Sequence, residues 1–240
     1  MTHLAAAVVF DLDGTLTDSQ TGITRSTRYA IERLNAAEGC DFPVPAEAEL
    51  RWTIGPPLRV SFAKLVGAEL AERALGFFHE RYGTIGLFEN APYDGVVEAL
   101  EDLAARGCRR FVATAKAEVD ARRILDHFDL ARHFDGIYGS DLDRGRADKR
   151  DLLAYLLKRE RAGSPEGAVM IGDRRFDVEG ASAVGLPTIG ALWGYGGAEE
   201  LAAAGADPLI ETPREIPAAV ATKRRQPRAA RSSSASTTPS

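Results

Sequence analysis

Short solid apolar runs and longer stretches with helical period divide this chain into two parts of different rhythm. Residues 5–10 (AAAVVF) form an unbroken apolar run, too short for a typical helix and carrying β-branched and aromatic residues. With no polar alternation, the run predicts a strand buried on both faces. From Leu16 to Tyr93 no convincing strand pattern follows. Ile23, Thr27, Ala30, Ile31 and Leu34 share one helical face, which Gly39 stops. Phe42-Pro43-Val44-Pro45 breaks the chain, and a second amphipathic piece over 46–54 ends at the turn signal Gly55-Pro56-Pro57. Further helices are predicted over 58–65 and 69–82, so this stretch reads as a helical insertion. After Pro92 the rhythm alternates. Strands are predicted at 110–114, 136–139, 168–171 and 187–190, with helices at 95–105, 119–128, 148–161, 178–184 and 199–204 around them. Leu209-Ile210 and 216–221 finish the pattern. Alternation of this kind predicts an α/β fold, a doubly wound (Rossmann-like) parallel sheet of five to six strands.

Composition narrows the class. Apolar residues make up 45% of the 240 positions and charged residues 27%, ordinary values for a globular protein. Cys40 and Cys108 show no framework spacing, no apolar run approaches the ~20 residues of a membrane span, and the N-terminus leaves no room for a signal peptide. A cytoplasmic location with no membrane partner is expected. The net charge of −5 hides an asymmetry: removing Lys223, Arg224, Arg225, Arg228 and Arg231 leaves −10 on residues 1–222. An acidic body argues against a nucleic-acid partner. Residues 223–240, basic and then rich in Ser and Thr, read as a disordered, solvated tail.

The candidate chemistry collects where the predicted strands end. Asp11 and Asp13 follow the first strand one residue apart, so strand periodicity aims them the same way, at the edge where open α/β sheets bind ligands. Thr114 follows the second predicted strand, with Ala115, Lys116 and a helix start behind it. A hydroxyl with free N–H groups there suits an anion. Lys149 stands at a helix start, an unfavourable end for a cation unless it faces an anion. Gly172-Asp173-Arg174-Arg175-Phe176-Asp177 adds two more carboxylates after the fourth predicted strand. Oxygen-only ligands suit Mg²⁺ rather than zinc or copper. His3, His79, His127 and His133 are scattered, and there is no nucleophile elbow, Walker A motif or convincing GxGxxG. Gly194, Gly196 and Gly197 (WGYGG) lack the last motif's spacing and read as a turn. An anion site beside a hard cation and a carboxylate points to phosphoryl transfer. Asp11 would attack phosphorus and form an aspartyl phosphate, and Asp13, crowded by negative charge, would manage protons.

At this point the chain resembles a known family. VVFDLDGTLTDS is similar to the first signature of the haloacid dehalogenase superfamily in its phosphatase branch, Thr114 in VATAK to the second, Lys149 to the third and GDRRFD to the fourth. The resemblance covers most of residues 5–220. It implies Asp11 as nucleophile, Asp13 as acid/base, Thr114 as phosphate ligand, and Lys149 as the charge-stabilising residue; Ala115 and Lys116 are expected to bind phosphate with Thr114. It also implies Mg²⁺ held by Asp11, the Asp13 carbonyl and Asp173, with Asp177 as ligand or support. Residues 1–16 and 93–222 would form the α/β core, and 17–92 an α-helical cap that closes over the site and selects the substrate. Three positions depart from the usual pattern. Ala115 replaces an Asn common in phosphoglycolate phosphatases, Arg150 replaces a Pro after Lys149, and Arg174 stands where a small hydroxyl residue is frequent. Lys116 thus competes with Lys149 for the lysine role, with the helix-start position favouring Lys149.

The resulting expectation is a Mg²⁺-dependent phosphatase acting on a small phosphorylated metabolite similar to phosphoglycolate, a nucleotide or a sugar phosphate. A phosphomutase resembling β-phosphoglucomutase is the alternative, and a catalytically silent binding module is disfavoured because every catalytic residue type is retained. A dehalogenase would have no use for Asp13 and a metal. A phosphonatase would need a cap lysine, and Lys64 reads as a surface residue. Gly55, with Arg51 or Arg59, is the candidate substrate selector from the cap.

Overall fold

The chain was described by a computed structural model covering residues 7–140, 148–161 and 167–223. The first strand, β1 (Ala7–Phe10), is buried along its whole length. A tight turn leads into β2 (Thr17–Asp18) and α1 (Gln20–Glu38). α1 buries Ile23, Thr27, Ala30, Ile31 and Leu34, and Gly39 ends it in the left-handed conformation at φ 66°. A 3-10 segment (Glu47–Thr53) precedes α2 (Leu58–Val66) and α3 (Ala71–Arg81). The helices interlock through Phe62, edge-on to Phe78, and Phe78, stacked on Tyr82 at 4.9 Å between ring centroids. β3 (Ala91–Pro92) then returns antiparallel to β2. These two strands correct the expectation of none between Leu16 and Tyr93. At two residues each they are too short to print a period of two on the sequence, and they close the base of the insertion where the chain leaves and rejoins the sheet domain.

The remaining elements alternate. They are α4 (Val96–Ala105), β4 (Arg109–Ala117), α5 (Glu118–His127), β5 (Gly136–Ser140), α6 (Lys149–Glu160), β6 (Ala168–Gly172), α7 (Arg175–Ala183), β7 (Thr188–Ala191), α8 (Ala198–Ala204), β8 (Leu209–Ile210) and α9 (Ile216–Lys223). The six strands form one parallel sheet in the order β5-β4-β1-β6-β7-β8. Strand alternation splits β1 between two cores: Val8 and Phe10 pack with the insertion, α4, α5 and α9, while Ala7 and Val9 pack with α6 and α7. A strand buried on both faces explains the solid apolar run. The chain runs outward from β1 to β4 and β5, then crosses back to β6 on the other side of β1. That reversal leaves a crevice at the carboxyl end of β1, where doubly wound sheets bind ligands.

One local expectation fails. β4 does not stop at Thr114 but runs to Ala117, and its pairing with β5 shifts between Thr114↔Gly139 and Ala117↔Ser140. Ala115 and Lys116 therefore sit in a bulge, not at a helix N-terminus, because an extra pair of residues is accommodated before α5 begins. No helix among the described residues is long and apolar enough to cross a membrane. Lys223 closes α9; His3 and the tail from Arg224 lie outside the described residues.

Candidate active site

Three adjacent strands deliver the chemistry. Phe10 pairs with Val112 of β4 and with Ile171 of β6, so Asp11 and Asp173 follow the ends of adjacent strands and Thr114 lies beside them at the start of the β4 bulge. Asp11 continues the ladder by donating its N–H to the Ile171 carbonyl at 3.0 Å. Asp11, Asp173 and Asp177 bring carboxylate oxygens within 4.8 Å of one another, a grouping that could hold a metal ion. Asp173 is locked from two sides: Thr15 Oγ1 donates to its Oδ1 at 3.1 Å and the Tyr195 N–H to its Oδ2 at 2.8 Å. Asp177 sits in the first turn of α7, and its Oδ2 accepts the Arg174 N–H at 3.1 Å. Gly14, at φ 89°, lets the β1 loop pass Asp173; a Cβ there would lie 2.2 Å from Asp173 Oδ2.

Lys149 supplies the opposing charge. Asp148 caps α6 by accepting the Asp151 N–H at 2.9 Å, which places Lys149 at the first helical position. Its Nζ lies 2.8 Å from both Asp11 Oδ1 and Asp177 Oδ1 and donates to the Ala113 carbonyl at 2.7 Å. The cation at an unfavourable helix end is thus explained by the anions it faces. Burial works against its charge, but Asp11 and Asp177 outweigh that effect and hold its pKa above the ordinary lysine value. Burial also pushes Asp11 up to about 7, against the pull of Lys149. Asp173 is raised by burial first, then by Asp177 and Asp11. Three carboxylates facing one ammonium form a site short of positive charge.

Asp13 belongs to a second pair. Its Oδ2 lies 3.1 Å from Lys116 Nζ, and its Oδ1 is buried with no hydrogen-bond partner among the described residues. The two lysines that compete in the sequence are therefore both in the crevice, on different aspartates. Thr114 is buried and its hydroxyl accepts the Lys116 N–H at 3.2 Å, which leaves its own proton free to donate. Ala115 is exposed beside it.

The candidate selectors fare differently. Arg174 reaches from the crevice loop to the insertion, where Nη1 donates to the Ile54 carbonyl, and Glu200 holds its Nε at 2.9 Å. Gly55 lies against this guanidinium, 2.9 Å from where its Cβ would be. Arg51 stands over the Tyr195 ring at 5.9 Å. Arg59 instead pairs with Glu72 on the exposed surface. Two groups escaped the sequence reading. WGYGG forms turns after β7 and also walls the site: the Tyr195 N–H holds Asp173, Tyr195 OH donates to Asp18 Oδ1 at 2.8 Å, and Trp193 Nε1 donates to the Thr15 carbonyl at 3.0 Å. Its position behind a strand at the crevice edge was the available signal. Tyr82, from the insertion, accepts a hydrogen bond from Lys116 Nζ.

Comparison with known proteins identifies the family. Residues 8–191 match the model of a family described as haloacid dehalogenase-like hydrolase. The chain is 44% identical over 198 residues to a 5'-nucleotidase of Pseudomonas aeruginosa, covering 82% of this chain and 86% of that one. It is 42% identical over 192 residues to the tyrosine-protein kinase PtkA of Mycobacterium tuberculosis, covering 80% of this chain but 64% of the kinase. Among solved structures, one described as a predicted phosphatase from Clostridium acetobutylicum superposes with a TM-score of 0.81 at 38% identity, over 89% of this chain and 97% of that one. A match that runs from β1 to the end of β7 takes in Asp11, Asp13, Asp173 and Asp177, and the chain belongs to the haloacid dehalogenase-like hydrolase family.

Proposed function

We propose that the chain is a Mg²⁺-dependent phosphatase of small phosphomonoesters, working through an aspartyl phosphate on Asp11. The observation that carries this reading is Lys149 bridging Asp11 and Asp177 beside Asp173, a carboxyl nucleophile held next to surplus negative charge. Buried carboxylates that outnumber their cations fit a hard divalent ion, and an all-oxygen donor set fits Mg²⁺. Asp11, Asp173 and the Asp13 carbonyl would hold it, with Asp177 as ligand or support. When bound, the ion offsets phosphate charge against the attacking carboxylate.

The chain's own residues divide the remaining work. Lys149 occupies Asp11 Oδ1, leaving Oδ2 to attack phosphorus as the ester P–O bond breaks. The Thr114 hydroxyl donates to a phosphoryl oxygen, and Lys149 stabilises the charge that builds there. Asp13 gives the departing alcohol its proton, then removes one from the water that cleaves the aspartyl phosphate. Residues 17–92 act as the cap over a core of 1–16 and 93–222, with Gly55 and Arg51 at its substrate-facing loop.

A screen of nucleoside monophosphates, phosphoglycolate and sugar phosphates with Mg²⁺ tests the reading; release of phosphate from none of them contradicts it. The relative named a 5'-nucleotidase puts nucleotides first. The relative named a tyrosine-protein kinase makes tyrosine phosphotransfer the second reading. Transfer of label from ATP to tyrosine in place of phosphate release from esters would favour it.

Metal binding has a stability readout of its own. In chelator, the folded chain binds more protons at Asp11 than the unfolded chain does between about pH 4, the ordinary aspartate value, and about 7. Asp11's contribution to stability therefore falls as pH rises through that window. Millimolar Mg²⁺ is expected to raise Tm by several degrees near pH 8 and by less near pH 5, where protons compete for the same oxygens. Equal Tm with Mg²⁺ and with chelator near pH 8 would contradict the site.

A further inference from the structure

Lys116 is a buried lysine that touches both halves of the molecule. Its side chain is 8% exposed, its Nζ lies 3.1 Å from Asp13 Oδ2, and it also donates to the hydroxyl of Tyr82. The ammonium stands over the Tyr82 ring at 4.7 Å. Tyr82 comes from the helical insertion, where its ring stacks on Phe78, while Arg123 Nη2 ties the neighbouring Gly83 carbonyl to α5 at 2.7 Å. The β4 bulge is what carries Lys116 out of the regular ladder, and it needs Gly139. A Cβ on Gly139 would lie 2.6 Å from the Lys116 carbonyl oxygen and 2.4 Å from the Glu118 nitrogen.

We propose that Lys116 is a positioning residue for Asp13 and that Tyr82 completes it, so that proton transfer to the leaving group depends on the insertion being seated over the crevice. The inference rests on the phosphatase reading above and assigns Lys116 a role other than phosphate binding. With Oδ2 pinned by the ammonium, Asp13 keeps only Oδ1 for proton exchange, and that oxygen has no partner among the described residues. An unsatisfied buried carboxylate oxygen is costly, and it persists here because the lysine fixes the group that carries it. The tyrosine hydroxyl makes the lysine's own geometry conditional on the cap.

Leaving-group dependence separates this role from the alternatives. An aryl ester such as p-nitrophenyl phosphate departs without needing a proton, whereas an alkyl ester such as glycerol phosphate needs one. With Mg²⁺ present, Lys116→Met is expected to lower kcat/KM for glycerol phosphate ~100-fold or more, the scale of a lost general acid, and for p-nitrophenyl phosphate less than ~10-fold. Lys116→Arg should restore most of the alkyl activity. Tyr82→Phe, which keeps the stacked ring, should lower the alkyl rate ~10-fold and add nothing to Lys116→Met in the double variant, because it acts through the lysine. Equal losses on both esters would assign Lys116 to the phosphoryl group and overturn the proposal, as would additive losses in the double variant. A parent enzyme inactive on both esters would overturn the phosphatase reading itself, and this inference with it. If Lys116→Met fails to fold, the Tyr82→Phe ratio between the two esters decides alone.

Discussion

Asp11→Asn is expected to lower kcat by ~10⁴-fold or more, at the scale of a lost nucleophile, while the chain stays folded. The amide cannot attack phosphorus to give an acyl phosphate. Loss of activity through unfolding is not expected, because Lys149 keeps Asp177 at 2.8 Å and the Ala113 carbonyl at 2.7 Å. Removing Asp11's charge also relieves a crowded site. Burial already pushes that carboxyl up to about 7, so in chelator near pH 8 its ionised form costs stability. Asp11→Asn should therefore melt no lower than the parent in chelator and gain less from Mg²⁺, a trade of stability against function. Turnover within tenfold of the parent would remove Asp11 from the chemistry.

Lys149→Met carries the second large effect, on both stability and rate. Methionine keeps the aliphatic stem but leaves Asp11 and Asp177 facing each other without the ammonium that lies 2.8 Å from each. Breaking a buried pair by removing one partner costs about 3–5 kcal/mol, and protonation of the stranded carboxylates limits the loss at low pH. Urea unfolding in chelator near pH 8 should show that loss, with a smaller one near pH 5. With Mg²⁺ restoring the fold, kcat should remain ~10²- to 10³-fold below the parent, the scale of one lost charge stabiliser. A variant as stable as the parent in chelator near pH 8 would mean that the lysine does not compensate the carboxylates.

The features readable in the sequence are those written in contiguous residues. The run at β1 announces a strand buried on both faces, and Asp11 and Asp13 follow it directly, so their place at the sheet edge needed no tertiary information. Lys149 was legible because a cation at a helix start is anomalous by itself. What escaped depends on contacts between distant segments. Tyr195 holds Asp173 by its backbone N–H, which no side-chain pattern encodes. Arg174 finds its acceptor at Ile54, in the insertion. Lys116 was read as part of an anion cradle because a helix was expected after Thr114; a bulge stabilised by Gly139 on the next strand sends it to Asp13 instead. β2 and β3 are too short to show a period. The surface pair of Arg59 and Glu72 likewise joins separate helices.

The proposed mechanism requires a covalent phosphoenzyme on Asp11. Acid quenching during turnover of an active ester, followed by borohydride reduction and peptide mass analysis, tests it most directly. Reduction of an acyl phosphate converts the aspartate side chain to that of homoserine. This change is expected at position 11, dependent on substrate and absent from Asp11→Asn. Reduction at Asp13 or elsewhere, or turnover with no trapped acyl phosphate at position 11, would contradict it.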